Sequence, residues 1–340
     1  MPFFFEYGII KKIFYHDLFF FLKGSFLMND LIKEYAFKST SGLCNMFVES
    51  YVPDPEVEIK GIVQISHGMA EHQSRYAPFA RFLNTNGYVV FINDHLGHGK
   101  SIANYDELGY FGKRDGYIYL IDDMKKVNDI AREQYPGLPV ILFGHSMGSF
   151  LSRFYVEKYG NTVDGAIFCG TSGANPAVDM GLAVIKAVTA AKGDHYRSQL
   201  INKLAFGSYN KRIKPARTDF DWLSTNKENV DKYIADPLCG FLFTTNGYRD
   251  LLKLLKVINR LEWYTSVRLD LPMLLISGEE DPVGNYGKGV KQVCDGLKDS
   301  KHENVEMKLY PGDRHEILNE QDRLDVYNDV LDWINKTLKK

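Results

Sequence analysis

Cysteine is scarce in this chain of 340 residues: Cys44, Cys169, Cys239 and Cys294 are widely scattered, with no CxxC pair and no Cys/His ligand spacing. Neither a disulfide framework nor a zinc site is therefore expected, and the cysteines read as reduced, mostly structural thiols in a cytoplasmic protein. Charge of one sign is also missing. A formal net charge of −2, without a Lys/Arg block, gives no electrostatic case for a nucleic-acid partner. Long apolar runs are absent too. The Phe-rich opening "MPFFFEYGIIKKIFYHDLFFFLKGSFLM" is broken by Glu6, Lys11, Lys12, Asp17 and Lys23, short of the roughly 18 to 20 apolar residues that a spanning helix needs. No small-residue cleavage site follows a clean apolar region, so a secretory signal is not expected. Two readings of this leader (residues 1–30) stay open. It is either an amphipathic stretch making transient contact with a membrane surface, or sequence upstream of a true start at Met28.

What the chain does have is an ordinary globular composition, 45% apolar and 25% charged, and a clear alternation of element types. Continuous aliphatic runs predict strands at "KGIVQIS" (60–66), "YVVFIN" (88–93), "PVILFG" (139–144), "GAIFCG" (165–170), "PMLLISG" (272–278) and "VEMKLY" (305–310). Runs of this kind suit strands buried on both faces of a parallel sheet. Helical stripes lie between them, such as Met147, Phe150, Leu151, Phe154 and Tyr155, with Gly160 as the stop. Tyr327, Val330, Leu331, Ile334 and Leu338 form another. The spacing predicts a mostly parallel sheet with helices on both faces, preceded by an antiparallel hairpin over 34–51 at the sheet edge. From about Ser172 to Tyr264 no buried strand is apparent. Stretches such as "MGLAVIKAVTAAKG" and "YRDLLKLLKVINRLEW" predict an inserted helical unit there. The expected division is 31–171 and 265–340 for the two parts of the core, and 172–264 for the insertion.

The chemistry centres on "FGHSMGSF", residues 143–150. Ser146 lies between a buried strand and an amphipathic helix, where a sharp strained turn exposes its hydroxyl. Gly144 and Gly148 flank it because a Cβ at either position would collide as helix and strand close up. A serine hydroxyl is a poor nucleophile, so a histidine base and a carboxylate to orient it are needed. In a strand-turn-helix arrangement of this type the acid and then the base follow on loops after later strands. "PMLLISG" runs into Glu279, Glu280 and Asp281, and "VEMKLY" runs into "PGDRHE" with Asp313 and His315. Asp281 and His315 are the favoured pair, with Glu280 the first alternative for the acid. His145 is expected to point away from the serine. His67, His72, His95 and His98 are expected to brace loops, and His195 and His302 to face solvent. A backbone N–H at Met147 and another at Met69, in "SHGMAEH", are the expected oxyanion donors.

Five segments taken together resemble the α/β-hydrolase superfamily, and within it the monoacylglycerol lipase/lysophospholipase group of serine aminopeptidase S33-type hydrolases. They are "HGMAEHQSRY" (67–76), "DHLGHGKS" (94–101), "GHSMGS" (144–149), "GEEDPV" (278–283) and "HEILNE" (315–320), and "DPLCGF" (236–241) in the insertion is also similar. The resemblance implies an α/β-hydrolase fold with a helical cap. It implies Ser146 as nucleophile, Asp281 as acid, His315 as base, and Met69 and Met147 as the oxyanion hole. It also implies a small lipid-like ester as substrate, with neither metal nor organic cofactor. Asp94, Gly97, His98 and Gly99 are then loop-shaping residues, and Arg75 the partner of a nearby carboxylate. An aminopeptidase of the same superfamily and a hydrolase-fold binding protein without turnover are the rival expectations.

Overall fold

The computed structural model describes residues 31–339, so the leader and the proposed start at Met28 lie outside the described residues. Eight strands form one sheet: β1 (Ile32–Lys38), β2 (Asn45–Tyr51), β3 (Gly61–Ser66), β4 (Tyr88–Asn93), β5 (Val140–His145), β6 (Gly165–Cys169), β7 (Met273–Gly278) and β8 (Val305–Tyr310). Their spatial order is β1-β2-β4-β3-β5-β6-β7-β8. The hairpin β1–β2 is antiparallel and lies at one edge, β2 meets β4 antiparallel, and every other pairing is parallel. The six strands expected after the hairpin are all present, with ends shifted by a residue at most.

Alternation along the buried strands sorts side chains into two apolar layers. Ile62, Val89, Val140, Leu142, Phe168 and Leu275 face one side, where α2 (Gly116–Gln134), α3 (Met147–Tyr159) and α9 (Lys288–Asp299) cover them. Val63, Val90, Ile141, Phe143, Ile167 and Ile276 face the other, under α1 (Ala77–Thr85) and α10 (Arg323–Leu338). Each such side chain contributes about 1.5–3 kcal/mol when buried fully. Both faces must therefore be covered, which is why β3 to β7 read as unbroken apolar runs.

Between β6 and β7 the chain is helical: α4 (Ala177–Lys192), α5 (Gln199–Phe206), α6 (Lys227–Ala235), α7 (Thr245–Ile258) and α8 (Leu261–Ser266). The stretch read as one helix through 248–263 is two. Asn259 turns its side-chain amide back to the Leu255 carbonyl at 2.9 Å, and Arg260 is extended. The break is held from below by Arg153 of α3. Its buried guanidinium donates to the carbonyls of Ser172 and Ile258 and to Asn259 Oδ1, and it lies over the Trp263 ring. Burial with only neutral acceptors lowers the Arg153 pKa to about 10.

Helix α3 ends before Gly160 as expected, and that residue, right-handed, opens a short 3-10 turn (Gly160–Thr162). One expectation changes here. His302 is buried, not solvent-facing, and its Nε2–H donates to the Tyr264 carbonyl at 2.9 Å, tying the end of α9 to α8. Among the described residues no helix is long and apolar enough to cross a membrane.

Candidate active site

β5 delivers the chain into the elbow, and α3 carries it away. At Ser146 the backbone is at φ 53° and ψ −121°, a conformation costing of order 1–3 kcal/mol in a residue with a side chain. The turn persists because its surroundings fix it. The Ser146 N–H donates to the Cys169 carbonyl at 2.9 Å, and the Ser146 carbonyl accepts from Ser149 Oγ at 2.6 Å. Close approach explains the two flanking glycines. A Cβ on Gly148 would lie 2.0 Å from the Ser66 carbonyl oxygen, and one on Gly144 would lie 2.3 Å from that of Gly148.

Asp281 and His315 meet at the carboxyl ends of β7 and β8. His315 Nδ1–H donates to Asp281 Oδ2 at 2.9 Å, with the two residues 2% and 0% exposed. Ser277 Oγ donates to the same oxygen at 3.1 Å, and the Val283 N–H donates to Oδ1 at 2.8 Å. The rival acids separate from Asp281 by position. Glu279 and Glu280 are exposed, and Glu280 faces Arg212. Asp313 is buried, and burial with Glu320 nearby lifts its pKa to about 7.

The imidazole of His315 is closed in by its neighbours. The Trp222 ring of the insertion lies 5.2 Å from it and the His145 ring 4.7 Å. Gly170 lies against it too, since a Cβ there would be 3.0 Å from the imidazole. Gly170 directly follows Cys169, which accepts the Ser146 N–H, so nucleophile and imidazole flank one short stretch of backbone. His315 Nε2 is buried and has no hydrogen-bond partner among the described residues. The Ser146–His315 bond is thus unmade here, a looseness common in ligand-free hydrolases.

The loop after β3 supplies Met69, beside the elbow. A Cβ on Gly68 would lie 3.2 Å from that of Ser146. Neither the Met69 nor the Met147 N–H has an acceptor among the described residues. Glu71 fixes this loop by accepting the Gly68 N–H at 2.6 Å and the Tyr76 hydroxyl at 2.8 Å. Arg75 pairs with Glu71 at 2.6 Å and, through both terminal nitrogens, with Glu316 at 2.7 Å. Asn229 of α6 also donates to Glu316, at 2.6 Å. Burial alone would raise both carboxyls, but Arg75, together with His145 at Glu71 and Asn229 at Glu316, outweighs it and holds both below the usual carboxylate range.

His145 joins this network to the His315 loop. Its Nε2–H donates to the His315 carbonyl at 3.2 Å, and its Nδ1 lies 3.0 Å from the Tyr76 hydroxyl. Burial opposes its charging, yet Glu71 outweighs that and raises its pKa. Sequence reasoning left His145 as a bystander and Glu71 unremarked; only the pairing of Arg75 with a carboxylate was expected. The bracing histidines behave otherwise. His67 Nε2 accepts the His95 N–H at 2.9 Å, and burial lowers the pKa of His67, His95 and His98. Asp94 accepts the Gln73 and Lys100 N–H groups and so joins two loops. His195 is exposed and stacks on Tyr110. Outside this centre, His72, Asp236 and Cys239 form a group able to hold a metal ion.

Residues 57–322 match the family described as serine aminopeptidase, S33. The chain belongs to this family. It is a lipase/esterase-like α/β hydrolase by its relatives as well. It is 28% identical over 283 residues to the monoacylglycerol lipase of Mycolicibacterium smegmatis, covering 82% of this chain and 90% of that one. It is 30% identical over 277 residues to the monoglyceride lipase of Rattus norvegicus, covering 81% of each. Among solved structures, a highly thermostable carboxyl esterase from Bacillus coagulans, crystallised with glycerol, aligns with a TM-score of 0.85 at 33% identity. That alignment covers 90% of this chain and 99% of the esterase.

Proposed function

We propose that this hydrolase cleaves the carboxylic ester of a small lipid-like substrate, a monoacylglycerol or a lysophospholipid, through an acyl-enzyme on Ser146. The observation that carries the reading is the buried Asp281–His315 pair, with His315 Nε2 left without a partner beside the strained Ser146 turn. Ser146 Oγ attacks the ester carbonyl carbon as His315 Nε2 takes its proton. The N–H groups of Met69 and Met147 hold the resulting oxyanion, each worth roughly a hundredfold to a thousandfold in rate. The C–O bond to the alcohol breaks, and His315 returns the proton to the leaving oxygen. His315 then takes a proton from water, whose oxygen attacks the acyl carbon; the bond to Ser146 Oγ breaks, His315 returns the proton to that oxygen, and the acid is freed. Asp281 holds the imidazole tautomer and offsets its charge without itself being protonated.

A lipid-like acyl group is supported by the aromatic insertion whose Trp222 lies over the imidazole, where Phe206 stacks on Trp222 and Tyr209 meets it edge-on. The names of the relatives, monoacylglycerol lipase and monoglyceride lipase, point the same way. A fluorophosphonate probe should label the wild type and not Ser146→Ala. Wild type not treated with the probe should hydrolyse p-nitrophenyl esters in preference to aminoacyl arylamides, with rates that change with acyl length. Turnover of the arylamides alone would replace the esterase reading with a peptidase, and failure to label would replace it with a binding protein.

A further inference from the structure

His72 closes the loop after β3, whereas Asp236 and Cys239 sit in the turn that follows α6. The fold brings one ring nitrogen, one carboxylate oxygen and the thiol sulfur within 4.8 Å of one another. The sequence shows no such ligand set, because the partners come from loops 164 residues apart. Local spacing reveals only motifs whose ligands share a turn.

Two of the three ligands, His72 and Asp236, are aimed by a second bond. His72 Nε2 faces Asp236 Oδ2 at 2.9 Å, while its Nδ1 meets Ser74 Oγ at 2.9 Å. The other oxygen, Asp236 Oδ1, accepts the Leu238 N–H at 2.8 Å. In His72 and Asp236 one atom is thus held from outside and the other is turned inward, the pattern by which outer partners orient metal ligands. Cys239 is buried, and burial raises its thiol pKa.

We propose that His72, Asp236 and Cys239 form a binding site for one divalent cation of the zinc type, completed by water. A tetrahedral ion would set its donors about 3.3–3.8 Å apart, within the spread of the three atoms. The nitrogen, oxygen and thiolate donor set disfavours calcium and magnesium, which take oxygen ligands. Charge balances as well: a neutral imidazole, a carboxylate and a thiolate neutralise a dication. Without the ion, Nε2–H donates to Asp236 and the Ser74 hydroxyl donates to Nδ1. With it, the ring proton moves to Nδ1, the Ser74 hydroxyl turns to accept it, and the Cys239 proton leaves to solvent. One proton is released per ion, and no oxidant or reductant takes part.

Such an ion would weld the insertion to the loop carrying Met69. The two are already joined there, since the Gly240 N–H and the Tyr233 hydroxyl both donate to the Ala70 carbonyl, at 2.9 and 3.0 Å. The site is independent of the catalytic reading.

Cobalt(II) added to the chelator-treated full-length protein is the direct test. One equivalent should produce a thiolate-to-cobalt absorption in the near ultraviolet and tetrahedral bands in the visible, both bleached by one equivalent of zinc. Cys239→Ser should abolish the thiolate band, and Cys294→Ser should retain it. Ser74→Ala, at an exposed hydroxyl, should fold normally and weaken cobalt binding by about ten- to a hundredfold. Absence of the thiolate band in the wild type, its survival in Cys239→Ser, or unchanged affinity in Ser74→Ala would each overturn the proposal.

Discussion

Both oxygens of Asp281 are occupied, by the His315 imidazole and Ser277 on one side and the Val283 N–H on the other. An amide at this position keeps the shape but presents a donor where the imidazole also donates. The tautomer would invert and Nε2 would carry the proton that it must instead accept. We expect Asp281→Asn to lower kcat by a factor on the order of 10⁴ with little change in KM, as loss of the orienting carboxylate does in other serine hydrolases. Steady-state hydrolysis of p-nitrophenyl butyrate measures this, with circular dichroism to show that the fold is kept. A fall of less than tenfold would move the acid to another residue. The sequence could narrow the proposed acid to one short loop, because the order of strand ends restricts the choice. It could not rank the acids by environment, which separates exposed Glu280 from buried Asp281. Nor could it see that the His145 ring reaches the main chain at His315, since that contact spans 170 residues.

At the scale of elements, the elbow works because helix α3 crosses β3 without a side chain between them. Gly148 provides that gap: a Cβ would stand 2.0 Å from the Ser66 oxygen and 2.5 Å from the His67 oxygen, both main-chain atoms that cannot swing aside. Gly148→Ala should destabilise the protein by about 3 kcal/mol, the upper end of ordinary overpacking. Gly160→Ala offers the contrast, for its φ is −55° and nothing lies within 4 Å of the added carbon. That change should be neutral or stabilise by up to about 1 kcal/mol. Urea midpoints of the two variants compare them directly, and equal midpoints would disprove the close-approach account. The pair also shows what a sequence conveys about elements. Strands β3 to β7 are legible because both their faces are buried, so composition alone marks them. A glycine is ambiguous, since the same residue can relieve a collision, as at 148, or merely follow a helix, as at 160. The break at Asn259 was hidden for a similar reason. It depends on the buried Arg153 drawing in the Ile258 carbonyl, a contact 105 residues away.

Across the whole molecule, Arg75 gathers three regions that approach the centre from different directions: Glu71 in the loop with Met69, Glu316 beside His315, and Asn229 on α6. The five resembling segments mark two of these regions, but the sequence offers no reason to connect them to α6. Their joint burial makes the fold's response to pH readable. Arg75, helped by His145 at Glu71 and by Asn229 at Glu316, holds both below the ordinary carboxylate range against the contrary pull of burial. A carboxyl with a depressed folded pKa contributes stability above its unfolded value of about 4.3, and that contribution is lost as pH falls through the folded value. In Arg75→Met burial at Glu316 is opposed chiefly by the Asn229 hydrogen bond, and the folded pKa of Glu316 should rise past the unfolded one. The sign then reverses, so that the variant loses stability as pH climbs from about 4.3 through the raised value. Breaking a buried pair by removing one member typically costs about 3–5 kcal/mol. We expect that cost in full at pH 8 and a clearly smaller one at pH 5, from urea unfolding of wild type and variant. A penalty of the same size at both pH values would mean that the two carboxylates do not depend on Arg75 for their charge, and that the three regions are held together by packing alone.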